Sequence, residues 1–215
     1  MNIFRRLSLG TVAACFGIAP AHAVEILDFS NTNCTSSGVT CVIPQSYGDT
    51  GWVDVSYRSI KKSTGQTGTP SLFAFASGYG DLHDVVYGGT DMANFISEIT
   101  LTAKHGAKIS LDGFDLASFH GGTKTVPITI LDLEGQVLDD TPLVTDSTHV
   151  SWTAGTDYLD GIVIRWGPDG YNVGLDNLAY SVRPAPESST WAMMLAGFGM
   201  LGLSLRNRRR QTALA

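Results

Sequence analysis

The residues best suited to chemistry in this sequence are carboxylates, a few histidines and a set of tyrosines. The densest polar cluster is Asp81-Leu82-His83-Asp84. In an extended segment, Asp81 and His83 lie on one side and Asp84 on the other, so a metal ion or a proton-transfer site would need a further group from elsewhere in the chain. Glycines and tyrosines flank the cluster, and this composition favours a solvated loop.

Hydrolysis of a polysaccharide requires two carboxyl groups at a defined separation. Asp112, Asp115 and Asp132 lie within or beside predicted strands and could line a concave face. The chain has 20 Asp and Glu residues, so such a set is weakly specific. Nucleophile-elbow, HExxH and phosphate-loop motifs are absent from the sequence. We therefore expect no catalysis, and a surface polysaccharide hydrolase is the alternative.

Aromatic side chains give a stronger argument for binding. Sugar rings can place their C–H groups against exposed aromatic faces. Four tyrosines lie beside glycines or predicted turns, where side chains are commonly exposed: Tyr79, Tyr87, Tyr158 and Tyr171. These are the candidate ligand-binding residues. Trp166, in contrast, shares one strand face with Ile162 and Ile164, so we expect it to be buried.

A structural calcium ion is a further candidate ligand, and no other cofactor is expected. Residues 174–182 look like the closing strand of secreted jelly-roll and galactose-binding-like modules, in which the last strand pairs near the first. The first predicted strand covers residues 25–29. If the two strands are adjacent, Glu25 and Asp28 approach Asp176 and could supply oxygen ligands. Alternatively, Asp176 and Asn177 only form turn hydrogen bonds into the sheet.

Short segments of alternating polarity must position these side chains. Examples are residues 98–103, 108–111, 126–130 and 162–166, with turn-forming residues between them. Residues 24–183 show no internal linker, repeat or long amphipathic helix, so they predict one all-β domain. Many short antiparallel strands at this length favour a β-sandwich of the jelly-roll or galactose-binding-like type.

The beginning of the chain has the pattern of a secretory signal peptide over residues 1–23. Arg5 and Arg6 precede an apolar run, and Ala21-His22-Ala23 fits a cleavage site. A lipoprotein box at residues 12–15 and a twin-arginine signal are weaker alternatives. Export by the Sec translocase would place Cys34 and Cys41 in an oxidising compartment. Because they are an even pair around a turn-forming segment, we expect them to form a disulfide.

The chain is acidic once its two ends are set aside. Six of its 14 basic residues lie in those ends, namely Arg5, Arg6, Arg206, Arg208, Arg209 and Arg210. Without these six arginines the chain has eight basic and 20 acidic residues, a net charge of about −12. A surface of this sign repels nucleic acid, so we expect no nucleic-acid partner.

The last segment, residues 184–215, reads as a targeting tail. An apolar stretch at about 190–205 precedes a basic end at 206–210, which predicts a short transmembrane helix with its arginines in the cytoplasm. Such a helix would hold the domain on the outer side of the inner membrane. The residues that carry the pattern are Pro186, Glu187, Ser188, Trp191, Ala192, Met193, Met194, Gly197, Arg208, Arg209 and Arg210.

This tail resembles the PEP-CTERM sorting signal of Gram-negative bacteria. Ser188 stands where the family has its second proline. The resemblance covers about one seventh of the chain and implies recognition by a membrane-embedded exosortase, cleavage near the motif, and delivery to the cell surface or exopolysaccharide matrix. We therefore expect a structural or polysaccharide-binding matrix component. A permanently anchored adhesin or spacer is a second alternative to that role.

Overall fold

The computed structural model describes residues 23–30, 32, 40–88, 94–185 and 188–212. The predicted signal peptide therefore lies outside the described residues except for Ala23, and so do Cys34, Pro186 and Glu187. The side chains of Arg208, Arg209 and Arg210 also lie outside them. The disulfide between Cys34 and Cys41 stays a prediction.

The described residues form two large antiparallel sheets and a two-stranded ribbon. The seven-stranded sheet has the order β13-β8-β15-β6-β5-β2, with β1 also paired to β15. Its strands are β1 (Ala23–Leu27), β2 (Thr40–Val42), β5 (Phe73–Phe75), β6 (Val85–Tyr87), β8 (Lys108–Ser118), β13 (Val150–Trp152) and β15 (Val173–Arg183).

The six-stranded sheet has the order β11-β10-β14-β7-β3-β4. Its strands are β3 (Val53–Lys61), β4 (Thr67–Thr69), β7 (Phe95–Ala103), β10 (Ile128–Asp132), β11 (Val137–Asp139) and β14 (Gly161–Trp166). The ribbon pairs β9 (Lys124–Val126) with β12 (Leu143–Thr145).

The two sheets pack face to face around one hydrophobic core. In β3, burial alternates along the strand, and Val53, Val55 and Tyr57 point inward. They belong to the same buried cluster as Leu111 and Leu175 of the seven-stranded sheet. Because side chains alternate between the two faces of a strand, this pattern produces a sandwich with one shared core and two outer faces. The predicted antiparallel β-sandwich is confirmed, and the finer jelly-roll or galactose-binding-like topology stays a prediction.

The first and last strands lie side by side, as the sequence predicted. In β1, Leu27 is opposite Leu178 of β15. Further along the same edge of β15, Leu175 is opposite Val86 of β6. The strands β1 and β6 therefore share one edge of β15, which brings Asp28 after β1 and Asp84 before β6 close enough to Asp176 for their charges to act on it.

Trp166 is fully buried in the core, as its strand face predicted. Its indole N–H donates a hydrogen bond of 3.0 Å to the carbonyl oxygen of Val173. An indole donor rarely remains buried without an acceptor, so this bond lets the largest core side chain lie between the sheets.

One helix, α1 (Ser188–Thr212), follows the sandwich. Its side chains from Trp191 to Arg206 are exposed apart from the half-buried Gly197. In the part of the chain that the structure describes, no helix combines the length and the apolar character needed to cross a membrane. The transmembrane helix expected at about 190–205 is therefore not supported. All residues of the two hydrophobic clusters lie between Leu27 and Val182, so a fragment of residues 24–185 contains all of the core that the structure describes.

Candidate functional site

A second apolar cluster lies on the outer face of the seven-stranded sheet. In β5 and β6, Ala74 and Val86 point into the core, so their neighbours along the strands point outward. These outward residues are apolar and would be exposed on a bare sheet. The segment between β5 and β6 folds back over them, and together they form what we call the aromatic cluster: Phe73, Phe75, Tyr79, Tyr87, Phe119 and Tyr171.

The rings of the aromatic cluster contact one another closely. The Tyr79 ring lies 5.9 Å from that of Tyr87 and 5.1 Å from that of Phe119, measured between centroids. The Tyr171 ring meets Tyr87 edge-on at 5.6 Å. The phenol of Tyr79 donates a hydrogen bond of 2.7 Å to the backbone carbonyl oxygen of Tyr171. Burial raises the pKa of Tyr79 well above its usual range, so this donor stays protonated.

The cluster has a buried centre and an accessible rim. Tyr79 and Tyr87 are only 2% and 4% exposed. Phe73, Phe75, Phe119 and Tyr171 are partly buried and surround them. The exposed imidazole of His120 lies 4.0 Å from the Phe119 ring and extends the rim. The rim therefore offers aromatic surface to solvent on top of a packed base.

A backbone feature allows this packing. Gly174 of β15 lies directly beneath the cluster, and a Cβ atom there would be 2.6 Å from a Val85 methyl carbon and 3.0 Å from the Tyr79 ring. Because real Cβ atoms essentially never come as close as 2.6 Å to another atom, a larger residue at this position would force Val85 to shift and would crowd Tyr79.

The four predicted tyrosines have different outcomes. Three of them, Tyr79, Tyr87 and Tyr171, come together in the aromatic cluster. The expected exposure of Tyr79 and Tyr87 is wrong, because the glycine-flanked segment covers the sheet instead of extending into solvent. Tyr158 lies apart from the cluster, and the guanidinium of Arg183 is 5.8 Å above its ring.

Sequence reasoning missed the other members of the rim. Phe73 and Phe75 flank Ala74 with the spacing of one strand face. That alternation could have identified an apolar outer face. Phe119 and His120 follow β8 directly, and nothing in the local sequence separates them from an ordinary turn.

Carboxylates lie on the same outer face, beside the aromatic cluster. Asp115 is two residues before Ala117, a buried residue that packs with the aromatic cluster, so both project from the same side of β8. The two oxygens of Asp115 accept hydrogen bonds from Ser151 at 2.6 Å and from the Asn177 amide at 2.9 Å. Asp112 accepts one from Ser181 at 2.7 Å. Asp132 is not on this face, because it is the last residue of β10 in the six-stranded sheet. Its carboxylate accepts a hydrogen bond from the backbone N–H of Gln136.

Asp176 lies directly opposite Asp115 across the β8–β15 pair and is 5% exposed. Burial raises its pKa to about 7. The hydrogen bond from the Asn177 backbone N–H opposes this shift, and the negative charges of Asp28, Asp115 and Asp84 add to it. Asp176 is therefore a carboxyl group that titrates near neutral pH.

The residues predicted to hold calcium are not brought together. Glu25 lies opposite Tyr180 in the β1–β15 pair and raises the pKa of that tyrosine, whereas the charge of Asp28 acts on Asp176. The two residues are three positions apart, so they project to opposite sides of the strand. Across the described ranges, no three His, Cys, Asp or Glu side chains are grouped as metal ligands. Calcium binding by Glu25, Asp28 and Asp176 stays a prediction, and this arrangement does not support it.

The polar cluster around Asp81 also has a different arrangement from the one its sequence suggested. Asp81 accepts a hydrogen bond of 2.8 Å from the backbone N–H of His149, and both of its oxygens lie 3.1 Å from Nδ1 of that histidine. These contacts lower the pKa of the Asp81 carboxyl, with the side-chain hydrogen bond as the largest cause. Asp81 therefore links its loop to the segment before β13.

No protein-family model matches this sequence, and no curated protein matches it at a significant level. The solved structures that match include the CBM22-1 xylan-binding domain from Paenibacillus barcinonensis Xyn10C, at 11% identity over 79% of this chain and 100% of that chain, with a TM-score of 0.35. Another is the family 11 carbohydrate-binding module from Clostridium thermocellum in complex with a mixed-linked tetrasaccharide, at 15% identity over 69% of this chain and 95% of that chain, with a TM-score of 0.22. Both scores are low, so functional conclusions must come from this chain's own residues.

Proposed function

We propose that this chain is an exported protein whose β-sandwich binds polysaccharide without hydrolysing it. The observation that supports the proposal is the accessible rim of the aromatic cluster, formed by Phe73, Phe75, Phe119 and Tyr171 beside His120. Aromatic rings that remain partly open on a packed base lose little conformational freedom when a ligand stacks on them.

Neighbouring polar groups suit the hydroxyl groups of a sugar. Asp112 and Asp115 lie on the same outer face and are partly exposed. Carboxylate oxygens have several lone pairs, so each can accept a further hydrogen bond from a sugar hydroxyl while it keeps its protein partner. Apolar stacking with a few polar contacts is the usual composition of a carbohydrate-sized site.

The same carboxylates argue for binding over hydrolysis. A glycosidase needs one carboxyl group that donates a proton and a second that acts as base or nucleophile, both in contact with the substrate. Asp176 has a raised pKa but is buried, and both oxygens of its partner Asp115 already accept protein hydrogen bonds. The carboxyl group with the raised pKa, that of Asp176, is therefore not exposed to donate a proton to a glycosidic bond.

The location of the protein is part of the proposal. The residues that resemble the PEP-CTERM signal support export through the Sec translocase, temporary attachment to the inner membrane, and recognition by an exosortase. The protein would then reach the cell surface or the exopolysaccharide matrix. The acidic charge of the sandwich agrees with a soluble extracellular domain.

The test is affinity electrophoresis of the 24–185 fragment in gels that contain neutral polysaccharides such as xylan, dextran and mixed-linked β-glucan. Phe119→Leu and Tyr171→Leu remove ring surface and keep apolar volume. Because a stacked ring contributes about 1 kcal/mol, each should weaken binding about fivefold. Trp52→Leu is the matched control, since Trp52 is an exposed aromatic that packs on His105 away from the cluster.

Equal losses in all three variants would contradict the assigned site. Release of reducing sugar during the assay would favour the hydrolase. If the wild-type fragment binds none of the polysaccharides, including exopolysaccharide from the native host, the adhesin or spacer alternative is preferred.

A further inference from the structure

The outer face of the six-stranded sheet differs in charge from the rest of the molecule. Across this face, Arg58 of β3 and Arg165 of β14 both lie opposite Glu98 of β7. The Nε groups of the two arginines each pair with one oxygen of Glu98, and the Arg165 pair has a separation of 2.7 Å. One carboxylate thus pairs with two guanidinium groups, so these three side chains together have a net positive charge.

The glutamate is covered and the arginines are open. The side chain of Glu98 is 2% exposed, whereas those of Arg58 and Arg165 are 48% and 34% exposed. Both ion pairs use Nε, and each arginine side chain remains partly exposed. A guanidinium held in place by a buried carboxylate is already oriented for a second anion, with little conformational entropy left to lose.

A groove of about 290 Å³ lies beside Arg165 on this face. Its polar lining includes Arg165, Lys62 and Thr129, and its apolar lining includes Ile96, Pro127 and Pro168. This volume is near the lower end of the range of about 300–1,000 Å³ for small-ligand pockets, which suits one sugar unit. Apolar atoms can contact the C–H face of such a unit while the cations contact a charged substituent.

Among the residues that the structure describes, no carboxylate forms an ion pair with the lysine of the groove. Lys104, Lys108 and Lys124 form ion pairs with Asp54, Asp160 and Asp169. Lys62 is exposed and forms no ion pair with any residue that the structure describes. On a domain that otherwise carries a large excess of carboxylates, this groove is a local positive site, and it attracts an anion that the remaining surface repels.

We propose that this groove binds a carboxylate-bearing sugar unit, a uronic acid, of an acidic polysaccharide. The proposal rests on the proposed polysaccharide-binding function and adds a substrate class to it, at a second face. Arg165 would contact the carboxylate through the exposed part of its guanidinium, Lys62 would add a second charge-assisted hydrogen bond, and Thr129 would contact a ring hydroxyl.

The test uses oligogalacturonate and its methyl-esterified form as probes, titrated into the 24–185 fragment by calorimetry at low salt. Lys62→Gln should weaken binding of oligogalacturonate about five- to tenfold. Arg165→Lys should weaken it to a similar degree, because lysine keeps the charge but lacks the two parallel N–H donors of a guanidinium. Lys61→Gln is the matched control, since it removes the same charge from the adjacent residue, which does not line the groove. The esterified probe should bind at least tenfold more weakly than the acid.

Three results would overturn the inference: equal losses in Lys61→Gln and Lys62→Gln, equal binding of the two probes, or competition by inorganic phosphate as effective as that by oligogalacturonate. The aromatic-cluster variants separate this inference from the proposed function. If the wild-type fragment binds neutral polysaccharide through Phe119 and Tyr171 but not oligogalacturonate, the groove proposal fails alone. If oligogalacturonate binding depends on Lys62 while neutral polysaccharides are not bound, the aromatic site fails and the groove stands.

Discussion

Replacement of Asp176 by asparagine should raise the stability of the domain at neutral and alkaline pH. The folded protein holds the Asp176 proton up to a pKa of about 7, whereas the unfolded chain releases it near the ordinary value of 3.8. Between these two pH values the folded state holds a proton that the unfolded chain has released. The contribution of Asp176 to the free energy of unfolding is therefore fully present below pH 3.8 and is lost as the pH rises to 7. Asparagine has no proton to lose, and its oxygen can still accept the Asn177 N–H.

The size of the effect follows from the shift in pKa. A shift of about three pH units corresponds to an upper limit of about 4 kcal/mol, at 1.36 kcal/mol per unit. Solvent penetration and rearrangement around the carboxylate reduce such values in real proteins, so we expect a net gain of about 1–2 kcal/mol at pH 8. At pH 4 the two proteins should be nearly equal in stability, because Asp176 is then neutral in the folded state.

The measurement is urea unfolding of the 24–185 fragment at pH 4, 6 and 8, in EDTA so that divalent cations contribute nothing. The quantity of interest is the difference in unfolding free energy between Asp176→Asn and the wild type at each pH. It should grow from pH 4 to 7 in favour of the variant and then stay constant. Asp112→Asn is the control, since that partly exposed carboxylate lies on the same face with a serine partner. A difference that does not change with pH would refute the reasoning.

Two further predictions concern packing and charge. Gly174→Ala should lower the unfolding free energy by about 1–3 kcal/mol in urea titrations, because its Cβ would overlap Val85 and Tyr79. The control is Gly122→Ala, which should be nearly neutral because its Cβ meets no atom within 4 Å. Equal effects of the two substitutions would contradict the assigned contact. Arg165→Ala should lower the unfolding free energy by about 1–3 kcal/mol, because it leaves the buried Glu98 with one partner. Lys108→Ala breaks an exposed ion pair with Asp160 and should lower it by less than about 1 kcal/mol. The opposite order would show that Glu98 does not depend on both arginines.

The sequence predicted what depends on local periodicity. The shared face of Ile162, Ile164 and Trp166 placed all three in the core. The resemblance of residues 174–182 to the closing strand of secreted sandwich modules implied that the first and last strands lie side by side, as they do. Such inferences succeed because alternation along one strand fixes which side chains are inward once a core exists. They identified the two-sheet architecture without any knowledge of strand order.

The sequence could not predict contacts that depend on register between distant strands. Glu98 is 40 residues from Arg58 and 67 from Arg165, and only the pairing of three strands makes them neighbours. The burial of Tyr79 depends in the same way on the outward side chains of β5 and β6, which require a cover. A glycine-flanked tyrosine has the same local sequence whether its loop extends into solvent or folds onto a sheet.

The connection between β14 and β15 links the two proposed sites. Pro168 lines the groove, and Tyr171, three residues later, belongs to the rim of the aromatic cluster. Backbone hydrogen bonds hold this connection at Gly170, whose N–H donates to Phe95 and whose carbonyl oxygen accepts from Gly88. Because it is fixed at this point, a ligand in either site meets a preorganised surface and need not reshape the other. Substitutions in one site should therefore leave affinity at the other unchanged, which is the condition that lets the two sets of variants test the two proposals separately.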